Sequence, residues 1–298
     1  MRLKITAIFA VGVLILVALS GCRVGVRQTR MDFDRLAEND FSGTKILKTS
    51  QISLRGIRNL RLAGHPTKDS YGNKIAVLFR IETSTDEQLH LLVNTDCTIE
   101  KADQPYLLKE GSTLIVSTGT EQHVRSWLFE KSNLMQVTLQ IPQEYDGLVQ
   151  AELDACVFQA DQIPGKTMKL TLNAGLVHIG SFSGDGAVQV NAGKAEIDNF
   201  TGSGSAVVNA GRLDFKKVSL LGDFSLHVNA GKVFFSVPEN SRFSFQGRSA
   251  AGDIDTFFPT ENQGNREEKI LAAKVNGGSN RRITASVKAG KLELTKTK

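Results

Sequence analysis

The stretch Gln189-Val190-Asn191-Ala192-Gly193-Lys194-Ala195-Glu196-Ile197 decides the fold, because its centre recurs along the chain. Asn-Ala-Gly stands at Asn173-Ala174-Gly175, Asn191-Ala192-Gly193, Asn209-Ala210-Gly211 and Asn229-Ala230-Gly231, with intervals of 18, 18 and 20 residues. A fixed phrase at near-constant spacing marks stacked structural repeats. On both sides of each phrase the apolar residues alternate: Leu170 and Leu172 precede the first, Val177 and Ile179 follow it, and the other copies keep the same parity. A period of two describes half-buried strands and does not fit a helix. A further apolar residue stands at Phe182, Phe200 and Val218, again 18 apart. Superimposed, the copies make inward columns that one continuous core can use. The chain is therefore expected to be all-β, a single-chain β-solenoid with rungs of about 18–20 residues. The alternative is an antiparallel β-sandwich of hairpins, since Asn-Ala-Gly also suits a three-residue hairpin loop.

The corner residues Asn173, Gly175, Asn191, Gly193, Asn209, Gly211, Asn229 and Gly231 have backbone roles in this reading. Glycine tolerates positive φ and close approach, and asparagine can bond its own turn or form an amide ladder along the stack. Beyond each corner the first outward residue is Leu176, Lys194, Arg212 or Lys232. The three cations form a possible surface binding stripe for a polyanion. Glu196 and Asp214 follow two residues later, which points instead to a solvated face with cross-strand charge pairing.

Weaker copies flank the clear ones. Asp154-Ala155-Cys156 precedes them, and Ala250-Ala251-Gly252 and Lys288-Ala289-Gly290 follow, so Gly252 and Gly290 join the corner set. The repeat domain is thus expected over 151–298, with a long insertion at about 257–280. Residues 44–150 carry strand-like runs at 46–54, 57–62, 74–82, 88–93, 113–117 and 135–141, without a fixed phrase. That region either continues the coil in decayed form or caps it. Residues 121–133 read as a loop or a brief helix.

The 298 residues hold 27 Gly, 6 Pro and 16 Phe, a composition of tight turns in an ordered structure. The formal charge of +5 is modest and gives no footprint for nucleic acid. No Gly-x-Ser-x-Gly elbow and no phosphate loop occurs. The five histidines are scattered, and His178 and His227 are expected to lack an acidic partner that would complete a metal site. Asp253 and Asp255 alternate on one strand face, as solvated residues do. No catalytic residue, metal site or cofactor is assigned, and the chain reads as a non-enzyme.

The N-terminus reads as an export signal over 1–21: Arg2 and Lys4, an apolar run at 5–19, then Leu19-Ser20-Gly21-Cys22. Those last four residues resemble the lipobox of bacterial lipoproteins. The resemblance implies cleavage before Cys22 and acylation of that thiol, palmitate included, so that the mature protein is held on a lipid bilayer by Cys22. Residues 22–43 then form a polar tether. The expected location is the outer membrane if the host has two membranes, and otherwise the outer face of the cytoplasmic membrane. With Cys22 acylated, Cys97 and Cys156 remain. An exported pair can bridge, whereas Cys156 stands where clear copies have Gly, which suits a small buried thiol.

Residues 137–142 lead into the coil, Phe243-Ser244-Phe245 precedes Ser249-Ala250-Ala251-Gly252-Asp253-Ile254, and the chain closes on Ser286-Val287-Lys288-Ala289-Gly290-Lys291-Leu292-Glu293-Leu294. These phrases resemble the bacterial "putative adhesin" family of unknown function, DUF4097, well over 135–295 and loosely over 45–135. Asn-Ala-Gly departs from the Ser- or Thr-rich corners common in that family. The resemblance implies a β-solenoid in a cell-envelope setting and supplies no catalytic residues. The functional expectation is a non-catalytic envelope lipoprotein that presents the solenoid to an envelope protein or polysaccharide. The other reading is an accessory regulator or sensor of envelope state acting through a membrane-associated protein.

Overall fold

The computed structural model describes residues 44–118, 133–262 and 269–297. The leader, the tether with Cys22, and all of 121–133 except Asn133 lie outside the described residues. The chain enters as β1 (Lys45–Ser53), β2 (Asn59–Gly64), β3 (Thr67–Lys68), β4 (Lys74–Ser84) and β5 (Gln88–Thr95). It continues through a one-turn 3-10 helix (Lys101–Asp103), β6 (Tyr106–Glu110), β7 (Thr113–Ser117) and β8 (Asn133–Pro142). The repeats follow as β9 (Leu148–Ile163), β10 (Thr167–Val190), β11 (Lys194–Val208), β12 (Arg212–Val228) and β13 (Lys232–Pro238). The last part comprises β14 (Phe243–Ser249), β15 (Asp253–Thr256), β16 (Glu261–Asn262), β17 (Lys269–Val275), β18 (Arg282–Val287) and β19 (Lys291–Thr297).

The fold is all-β, and its repeats stack as a solenoid. Ile179 pairs with Ile197 and Ile197 with Phe215, while Phe182 pairs with Phe200 and Phe200 with Val218, all in parallel register. Parallel neighbours 18 residues apart exclude the hairpin sandwich. Long strands bend at each corner, so the pairing joins 19 strands into one network with two main faces. The leading face, made of the segments before each corner, runs β6, β7, β2, β9, β10, β11, β12, β18, β14, β17, β16. The trailing face runs β1, β5, β8, β4, β9, β10, β11, β12, β13, β19, β15. The two arms of β10 lie side by side, as Asp185 N–H donates to Lys166 O at 2.9 Å and Asn191 N–H, just past the strand, to Leu172 O at 2.8 Å.

The inward columns are buried without a break from Leu54 to Leu294. Within them Phe182, Phe200, Phe215, Phe224 and Phe235 pack ring to ring at 4.9–5.6 Å between centroids. Tilted and edge-on pairs of this kind contribute about 0.5–1.5 kcal/mol each beyond area burial. The 20-residue interval has a local cause: Gly202 pairs with Leu220 and Gly204 with Phe224, so two extra residues bulge out and leave Leu221 exposed.

The stacking order corrects the simple reading of the weak copies. The Ala250 copy is not the neighbour of the Asn229 copy. β18 and β19, the last strands of the chain, lie between them: Ala289 N–H donates to Asn229 O, and Ala251 N–H donates to Lys288 O, each at 2.8 Å. The other end is interleaved too, with β2 and β4 set between β9 and the pair β7 and β8. The insertion at 257–280 holds β17, which pairs antiparallel with β14, and β6 is a strand where none was expected.

Candidate functional site

The corners build one side of the candidate surface. Asn229 Nδ2 donates to Asn209 Oδ1 at 2.5 Å, Asn209 to Asn191 at 2.6 Å, and Asn191 to Asn173 at 2.6 Å. Asn173 Nδ2 then donates to Asp154 Oδ1, so the amide ladder runs one way and ends on a carboxylate. The other oxygen of Asp154 is 3.0 Å from His65 Nδ1, a pairing the sequence did not signal. Asn173, Asn191 and Asn209 each donate once and accept once along the ladder, and Asn229 donates at its end, which fits a structural role.

The corner glycines are needed for two different reasons. Gly175 and Gly193 have φ of 117° and 95°, the positive values expected. Gly211, Gly231, Gly252 and Gly290 are not in that region, which corrects the idea of one common backbone cause. They are held to glycine by stacking: a Cβ on Gly231 would lie 2.4 Å from Gly211 O, closer than real Cβ contacts come.

Beyond the corner lies the charged face. One outward column reads Leu176, Lys194, Arg212, Lys232, Lys291, Asp253, and the next reads His178, Glu196, Asp214, Phe234, Glu293, Asp255. Lys194 Nζ lies 2.7 Å from Glu196 Oε2, and Arg212 Nε donates to both Asp214 oxygens at 2.8 and 2.9 Å. Arg212 also stands 4.4 Å above the Phe234 ring. Lys232 sits on the same column between Arg212 and Lys291. Lys194 and Arg212 are thus matched by carboxylates.

His178 does have acidic neighbours, contrary to the sequence expectation. Glu196 is its direct register partner, Asp198 Oδ2 is 3.0 Å from its Nε2, and the three ligand atoms lie within 4.8 Å of one another. The acids come from the next rung, so spacing around His178 could not show them. Lys216 Nζ already bridges Glu196 and Asp198. Burial opposes the charge of Glu196, but hydrogen bonds from Lys194 and Lys216 outweigh it and hold the carboxyl down to about 2. The same two carboxylates push the Lys216 ammonium pKa up. A metal ion here would have to displace that ammonium.

The thiols offer little chemistry. Cys97 and Cys156 are both free. Cys156 is 1% exposed, its Sγ donates to Asp154 O at 3.2 Å, and burial pushes its pKa up. It shares a neighbourhood with His65 and Asp154, yet an un-ionised thiol bonded to a carbonyl is a poor nucleophile. A recess lies at the far end of the stack, a cleft of about 550 Å³ beside β15.

A sequence model of the Toastrack DUF4097 family matches residues 76–295. No curated protein matches. Among solved structures, similarity is found to a putative cell adhesion protein from Clostridium sporogenes, at 11% identity over 85% of this chain and 100% of that one, with a TM-score of 0.38. A putative adhesin from Bacteroides fragilis matches at 11% identity over 84% and 97%, with a TM-score of 0.39. A putative lipid binding protein from Parabacteroides distasonis matches at 11% over 84% and 96%, with a TM-score of 0.30.

Proposed function

This chain belongs to the Toastrack DUF4097 family, and from that premise we propose that it is a non-catalytic envelope lipoprotein whose solenoid faces bind or scaffold a protein or polysaccharide. The observation that carries this reading is the charged face: a flat, register-locked array whose main charges are matched on site. Such a surface suits recognition over area better than chemistry in a pocket. The anchor belongs to the same proposal and is supported by Leu19-Ser20-Gly21-Cys22 behind a basic, apolar leader.

Cys22→Ser is expected to release the chain from membranes or leave it unprocessed, while the parent partitions into detergent. Mass spectrometry that found an unmodified thiol at Cys22 in the mature protein would end the anchor proposal. Crosslinking in intact envelopes followed by recovery of the chain tests the binding role, with retained protein or glycan as the expected result. Recovery of one membrane signalling protein would favour the regulatory reading, and recovery of the chain alone would overturn both.

A further inference from the structure

We propose that the outer edge of β15 is a slot for one extended peptide strand of a protein partner, in which apolar residues alternate with Lys or Arg. This rests on the reading of the chain as a binding protein and names the partner's chemistry.

Among the described residues the backbone of the edge is unpaired by any strand. Asp253 N–H donates to Gly290 O at 2.9 Å and Phe257 N–H to Leu294 O at 3.0 Å, both toward the inner side. Strand alternation therefore turns the backbone groups of Ile254 and Thr256 outward. Among the described residues no strand pairs there, and Ile254 O meets Lys269 Nζ at 3.4 Å. A free edge of this kind is a template for strand addition.

The shape selects a peptide over a second copy. The trailing face stops at β15, whereas the leading face continues through β17 and β16. The step is up to two strand spacings, roughly 10 Å. Two copies meeting with like faces opposed would touch at these overhangs and hold their β15 edges apart. A single strand can enter the cleft that the step creates.

The chemistry of the occupant follows from the columns. Inward, Val233, Leu292 and Ile254 are in register, so the next strand needs an apolar residue there. Outward, the basic column ends on Asp253, with Asp255 beside it, and both are exposed. Natural edges are commonly guarded by Lys. Here one lysine, Lys269, reaches Ile254 O and would have to swing aside, and Asp255 is 2.9 Å from Lys291 Nζ, while Asp253 and the 67% exposed ring of Phe257 face outward beside them. Opposite charges directly across a strand pair are favourable, so Lys or Arg suits the outward positions of the occupant. The chain itself shows that such a slot can be filled out of order, because β19 enters in parallel between β13 and β15.

The test uses the full chain in detergent at physiological salt and two fluorescent hexapeptides, one alternating Lys and Val, the other Glu and Val. Anisotropy is expected to show the basic peptide bound at least about tenfold tighter. Thr256→Pro removes an outward N–H and should weaken it by a similar factor. Asp253→Lys combined with Asp255→Lys should reverse the preference while the melting temperature is kept. No binding of either peptide, equal binding, or a folded double variant without reversal overturns the slot; if Thr256→Pro does not fold, the reversal decides. Envelope partners recovered without peptide preference would sink the slot and leave the broader binding role. A peptide preference with no envelope partner would do the opposite.

Discussion

The middle of the solenoid and its two ends are built from the same rung, yet they are threaded differently. From β9 to β13 each rung stacks on the one just made, so chain order and spatial order agree. At the ends they disagree: β18 and β19 slide between older rungs, and at the other end the later strands β7, β8 and β9 close on either side of β2 and β4. Fixed spacing can arise only where neighbours in space are neighbours in sequence. The exact phrases are confined to the middle for that reason, and the ends look decayed although their columns are equally buried. Interleaving also ties the last strands into the body of the stack, where a plain coil would leave a loose final turn.

The largest effect should come from breaking that interleaving. Ending the chain after Asn280 removes β18 and β19, which are the parallel neighbours of β14 and β15. Hydrogen exchange should then show loss of protection over β14, β15 and β17 as well as on the exposed side of β13. A merely frayed tail would leave those segments protected, and that outcome would refute the interleaved order.

Next is the core of the middle. Ile197 is fully buried between Ile179 and Phe215. Ile197→Asp places a carboxylate there with no partner and should destabilise the fold by about 3–5 kcal/mol. Denaturant titration measures this. A cost below roughly 1 kcal/mol would mean that the column is not a sealed core.

What could be read from the sequence follows from this contrast. The parity of Val188, Val190, Ala195 and Ile197 was enough to give face, rung length and register, because all of it is local to one coil. Tyr106-Leu107-Leu108-Lys109-Glu110 was missed as β6, since its two adjacent leucines blur the alternation. The acids beside His178 were missed because Glu196 and Asp198 reach it only across the rung spacing. The reason for glycine at Gly231 was equally hidden: its constraint is Gly211 O in the rung below, which no local pattern records.

The amide ladder gives a smaller and graded prediction within the middle region. Asn209→Ala removes a donor to Asn191 and an acceptor for Asn229, two bonds, whereas Asn229→Ala removes one ladder bond, its donation to Asn209. At about 1 kcal/mol per partly solvated bond, the first should cost about twice the second. Equal costs in thermal melts would show that the ladder bonds add nothing beyond local turn geometry.

The smallest effect concerns the charged face and depends on pH. The carboxyl of Glu196 is held at about 2 in the folded chain, below the roughly 4.3 of an unfolded glutamate. A depressed folded value means the ionised form favours folding: the contribution is complete above about 4.3 and disappears as pH falls toward 2. Lys216 has its own pKa raised by the same contacts, so its contribution holds at neutral pH and is lost only in strong alkali. Partial solvent screening limits the carboxylate term to on the order of 1 kcal/mol. Glu196→Gln should therefore flatten the decline in melting temperature between about pH 4.5 and 2 and change little at pH 7 in high salt. Lys194→Asp, which a simply solvated column would tolerate, should cost stability at neutral pH, because it sets a third carboxylate beside Glu196 and Asp214. If Glu196→Gln leaves the acid limb as steep as in the parent, the Lys194–Glu196–Lys216 contacts are too solvated to matter, and the charged face is held flat by its backbone register alone.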